Sequence, residues 1–147
     1  MINENQLNKI LYTNKSTNRI KSPKMFFGSP LKNFISNIYN QFEIPKESFY
    51  ISMFYIKNYY NNNKEDKKLL TIFFNNINYF VFSSIILSLK TIFDESLNVK
   101  GMCEILFLNF NKYKTYEIDL LKGLNWDLSY NNSNYNDFKM YLCKNFY

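Results

Sequence analysis

INYFVFSSIILSLKTIF, residues 77–93, is the stretch on which the fold turns. Written on a helix it is apolar on nearly every side, with Ser83, Ser84 and Ser88 as small polar breaks. A helix with no wet face has to be enclosed by others, so this one belongs at the centre of a bundle. Its most membrane-like part, Tyr79–Leu89, is 11 residues long, whereas spanning a bilayer takes about 20. Asn75, Asn76 and Asn78 precede it and Lys90 follows. A buried core helix accounts for the stretch better than a membrane span.

Helical spacing continues on both sides. Upstream, Ser29-Pro30 opens a helix, with Ser as N-cap and Pro at the first helical position. Leu31, Phe34, Ile35, Ile38, Tyr39 and Phe42 then form one apolar stripe. Pro45 breaks this helix and opens a second, in which Phe49, Met53, Ile56 and Tyr60 share a face. The polar run Asn61–Lys68 reads as a surface loop. Downstream, shorter helices are expected over Val99–Phe110 and Thr115–Leu124, and an amphipathic one over Asn136–Phe146 carrying Phe138, Tyr141 and Leu142. Leu7, Ile10 and Leu11 suggest a short N-terminal helix. Alternating patterns rich in Val and Thr are too sparse for a sheet. The expectation is an all-α chain: five helices with the third at the centre, and flanking helices at either end.

Composition narrows the chemistry. The 147 residues suit one domain, and a 46% hydrophobic, 20% aromatic content is too apolar for a disordered chain. There is no His, which removes His-based acid–base pairs and most zinc ligands. Three Gly, at 28, 101 and 123, cannot build a phosphate-cradling loop. Cys103 and Cys143, far apart in sequence, suit core thiols of an intracellular protein better than a disulfide framework. These counts argue against an enzyme and imply neither metal nor cofactor.

Charge is uneven. Of the net +6, residues 1–28 hold +4, from Lys9, Lys15, Arg19, Lys21 and Lys24 against Glu4. Residues 1–28 therefore read as a solvated basic arm, and 29–147 as a single domain of net +2 without the general basic face that nucleic acid requires. The polar N-terminus carries no signal-peptide pattern, which points to the nucleus or cytoplasm.

Two segments carry a family likeness. SIILSLKTIFDES, residues 84–96, resembles the end of the third helix of a cyclin box, where apolar and small residues close on a Lys and an acidic turn. TYEIDLLKGLNWDLSY, residues 115–130, resembles the fifth cyclin helix and its aromatic-Asp-Leu exit. The likeness covers about residues 29–143. It is nearest to the single-box P-type (or U-type) cyclins, which share the Asn76-to-Lys90 spacing. It implies a cyclin-box fold and a regulatory subunit that binds and activates a cyclin-dependent-like protein kinase, in cell division or nutrient signalling. It also implies that Lys90 and Glu117 bind the kinase together, with Leu87, Leu121, Trp126 and Leu128 packing beside them. The sequence departs from the family where many cyclins carry an internal Asp-Arg pair and an Arg: those positions read Lys57-Asn58 and Asn37, and Tyr79 stands in place of another Arg.

Each of these residues also has a plainer reading. Lys90 near a helix C-terminus and Glu117 in a first turn are both favoured by the helix dipole, by about 0.3–1 kcal/mol. What sets them apart is their neighbours: Lys90 follows Ile86 and Leu87 by one turn, and Glu117 shares a face with Leu121, Leu124 and Leu128. A charge at the rim of an apolar stripe fits an interface. Trp126, Leu87, Leu121 and Leu128 serve equally as core filler, Asp94 and Glu95 as a solvated turn, and Ser29-Pro30-Leu31-Lys32 as a helix cap rather than a phosphorylation site. Two alternatives stand beside the activating cyclin. One is a degenerate cyclin-fold scaffold that docks a kinase complex without activating it. The other is a cyclin-fold binding module of the transcription-factor kind.

Overall fold

A computed structural model describes residues 29–93 and 96–146. Among them the chain is all-helical, as expected: α1 (Ser29–Gln41), α2 (Lys46–Asn63), α3 (Lys67–Asn75), α4 (Ile77–Ile92), α5 (Val99–Ile105), α6 (Phe110–Gly123) and α7 (Ser133–Phe146). The expected N-terminal helix, Asp94, Glu95 and the Ser29 cap side chain lie outside the described residues.

The apolar stretch 77–93 becomes α4, and every residue from Phe80 to Leu89 is buried. It packs chiefly on α2 and α6, and also meets α1 and α3. Its serines are enclosed rather than wetted. Ser84 Oγ donates to the Val81 carbonyl at 2.7 Å and Ser88 Oγ to that of Ile85 at 2.7 Å. The Ser48 and Ser88 hydroxyls also share a hydrogen bond at 2.5 Å, where small side chains let α2 and α4 approach.

α2 is buried on more than the single face expected of it. Ile51, Phe54, Tyr55 and Tyr59 are enclosed along with Phe49, Met53, Ile56 and Tyr60. Several elements cover it: Tyr59 meets Phe73 of α3 and Phe80 of α4, while α7 packs on Phe54. Phe54 meets Tyr135 edge-on at 5.2 Å and Phe138 at 5.8 Å. Glu47 ties the same two helices, accepting from the Tyr135 hydroxyl at 2.7 Å and from Lys139 Nζ at 2.6 Å.

The polar run expected as a loop is mostly helix. α2 continues to Asn63, and the reversal is confined to the few residues before Lys67. Asp66 caps α3, its carboxylate accepting from the Leu69 N–H at 3.1 Å. α3 itself was not legible: it buries Leu70, Phe73 and Phe74 and meets α4 at an 85° bend. The expected third, central helix is thus the fourth. No single described helix is long and apolar enough to cross a membrane.

Other boundaries shift for reasons of capping. α5 stops at Ile105 rather than Phe110, because Phe107 takes a left-handed backbone (φ 57°). There the Leu108 N–H donates to the Cys103 carbonyl at 2.8 Å, closing a Schellman motif. α6 starts at Phe110 rather than Thr115, since the Asn109 side chain accepts from the Lys112 N–H at 3.0 Å. α7 starts at Ser133 rather than Asn136, with Asn132 accepting from the Tyr135 N–H at 2.8 Å. Cys103 is buried as expected, but Cys143, beside the buried Leu142 on α7, is exposed.

Candidate functional site

Lys90 and Glu117 are 27 residues apart in sequence and meet in space. The last turn of α4 delivers Lys90 and the second turn of α6 delivers Glu117, and their side chains pair at 3.2 Å. The lysine side chain is 46% exposed and the carboxylate 18%, so the pair stands at the edge of the α4–α6 contact. Glu117 has a second partner that the sequence did not suggest. The Tyr113 hydroxyl, one turn earlier on α6, donates to the same Oε2 that Lys90 uses. Tyr113 is buried, edge-on to Phe82 at 5.5 Å and stacked on Phe110 at 5.9 Å. Burial, and then the Glu117 carboxylate, push its phenol far above the usual range. A Tyr at i−4 from a Glu was the available signal, since that spacing puts both on one helical face.

The four apolar candidates separate. Leu87 is 5% exposed and belongs to the core, while Leu121 and Leu128 are half-buried beside it. Trp126 is 61% exposed, so it is not core filler. The reason is the end of α6. The helix stops at Gly123, where the Trp126 N–H donates to the Leu121 carbonyl at 2.9 Å and the Asn125 N–H to that of Lys122 at 3.0 Å. Asn125 and Trp126 both take left-handed backbones, φ 55° and 59°, which turn the chain sharply away from the helix axis. Leu128 therefore does not continue the face of Glu117, Leu121 and Leu124 as helical spacing had suggested. It is held instead by α2: the Tyr55 hydroxyl donates to its carbonyl at 2.8 Å. Burial pushes the Tyr55 phenol up to about 12. Asp127 folds back onto Ser129, accepting from its N–H at 3.0 Å and its hydroxyl at 2.5 Å.

Of the positions that depart from the family pattern, Lys57 and Tyr79 find partners. Lys57 lies over the Phe138 ring, Nζ 4.9 Å from its centroid, and burial lowers its pKa. Asn37 and Asn58 are half-buried. The Tyr79 hydroxyl accepts from the Asn109 N–H at 2.9 Å, and its ring packs at 5.2 Å on Tyr116, fastening α4 to the start of α6.

In chemical terms, the site offers a paired cation and carboxylate with half-buried leucines and an exposed Trp around α6. Charged groups at the rim of apolar area are what protein interfaces are commonly built from. Among the described residues no cluster of three His, Cys, Asp or Glu side chains could hold a metal ion. The Cys103 thiol, pushed up to about 11 by burial, stays protonated at neutral pH.

No family model, curated protein or solved structure matches this chain. The site therefore stands on its own geometry.

Proposed function

We propose that the chain is a single-box cyclin: a regulatory subunit that binds a cyclin-dependent-like protein kinase and activates it. The observation that carries this reading is the Lys90–Glu117 pair, formed between the central helix and α6 at the residues the cyclin likeness singles out. An all-helical chain with one enclosed central helix is compatible with the cyclin-box plan. Trp126, Leu121 and Leu128 supply apolar area near the pair, and an exposed Trp is a frequent binding hot spot.

The mechanism is population shift. Packed against the small lobe of the kinase, the helical domain would favour the arrangement in which the catalytic Lys–Glu pair and the activation segment are in place. The cyclin contributes binding energy and no reacting group.

The test is to purify the cyclin-dependent-like kinases of the source organism and assay each for peptide phosphorylation with and without the full chain. Activation of at least one is expected. A panel in which none binds would sink the reading.

A scaffold that docks a kinase without activating it is the second reading. The observation in its favour is Lys57, which engages Phe138 at a position where many cyclins carry the acid of an internal ion pair. Binding without any rise in phosphorylation in the same assay would select it.

A further inference from the structure

We propose that Tyr113 is a positioning residue for the partner: its hydroxyl holds the Glu117 carboxylate in place before the kinase arrives. The proposal rests on the kinase-binding reading above and adds to it a residue that the cyclin likeness does not point to.

Glu117 is a flexible side chain at the rim of a helix contact, and an exposed lysine alone holds such a group loosely. Here Oε2 accepts from both Lys90 Nζ and the Tyr113 hydroxyl. Among the described residues no other hydrogen bond reaches Glu117 or Lys90, which leaves Oε1 and two of the three ammonium protons without a partner there. The restraint itself is rigid. Tyr113 is 3% exposed, and the rings of Phe82 and Phe110 at 5.5 and 5.9 Å leave it little freedom to turn. A side chain ordered in advance loses less freedom on association, so the ordering cost falls on folding rather than on binding. A phenol–carboxylate bond is also stronger than a neutral one. Buried ring, hydroxyl, carboxylate and ammonium thus form one chain from the core to the rim.

The experiment is a double-mutant cycle on the full chain, read by calorimetric titration with the kinase identified above. Tyr113→Phe keeps the ring and removes the hydroxyl, and is expected to raise Kd about tenfold. In a Glu117→Ala background the same change should alter Kd by less than about twofold, because Tyr113 acts only through Glu117. A wild-type Kd for Tyr113→Phe overturns the proposal. So does an equal loss in both backgrounds, which would mark a purely structural role. If Tyr113→Phe does not fold, Tyr113→Met, a smaller and flexible apolar side chain without a hydroxyl, completes the cycle. A wild-type chain that binds no kinase removes the functional reading and this proposal together, an outcome distinct from the other two.

Discussion

The ring of Tyr59 on α2 lies directly against Gly123 at the end of α6, so close that a Cβ at Gly123 would overlap the ring edge. The Asn63 side chain closes the same corner, its Nδ2 donating to the Gly123 carbonyl at 3.1 Å. Tyr59 is itself fixed by stacking on Phe73 at 5.0 Å and by Phe80 at 5.2 Å, so it cannot move aside cheaply. Gly123→Ala is therefore expected to destabilise the fold by about 1–3 kcal/mol, the usual cost of overpacking. Urea unfolding measures this, and a loss below about 0.5 kcal/mol would mean that the corner opens freely.

Removing both charges at the rim separates folding from binding. Lys90→Ala with Glu117→Ala is expected to weaken the kinase complex by about 2–5 kcal/mol. The cost to the isolated fold should be smaller, since a half-exposed pair contributes about 0–1 kcal/mol, with a further term from the Tyr113 hydroxyl left without its acceptor. Calorimetric titration and a thermal melt read the two quantities. Unchanged affinity would place the interface elsewhere.

Glu47 should give the fold a dependence on acid. Burial raises its pKa, but the hydrogen bonds from Lys139 and Tyr135 outweigh burial and leave it below the usual value of 4.5. A carboxylate depressed in the folded state contributes stability above its unfolded pKa and loses it as pH falls through the folded one. The contribution is small because the side chains of Lys139 and Glu47 are 37% and 41% exposed. Below pH 4.5, Glu47→Gln should show a shallower loss of stability than the wild type, measured as the urea midpoint against pH. Parallel curves for the two proteins would contradict this.

At the alkaline end, Tyr55 and Tyr59 are both pushed by burial from 10.0 up to about 12. A phenol raised in the folded state ionises first in the unfolded chain. Its contribution is complete below pH 10 and disappears as pH rises towards 12. Stability should therefore fall steeply across that window. Tyr59→Phe, which has no phenol to ionise, should flatten the fall, and an identical slope would assign it to other groups.

The cyclin likeness singled out Lys90 and Glu117, and the fold brings them together. Nothing in it indicated Tyr113 as their third member, because the hydroxyl's target depends on how the ring is wedged between Phe82 and Phe110. α3 escaped notice for a related reason. LLTIFF is a short apolar run whose periodicity cannot distinguish helix from strand or buried loop. Its type is decided by the Asp66 cap and by packing on α4.

The stretch from Ile77 to Phe93 by itself determined which helix lies at the centre of this chain. A segment apolar on all sides has to be enclosed, and that requirement is local to the sequence. Only the tertiary structure decided which candidates face outward. Leu87 and Trp126 look alike as apolar residues, yet one is 5% and the other 61% exposed. Burial is a property of what packs against a side chain, and for Trp126 it was settled by two left-handed residues that turn the chain at the end of α6.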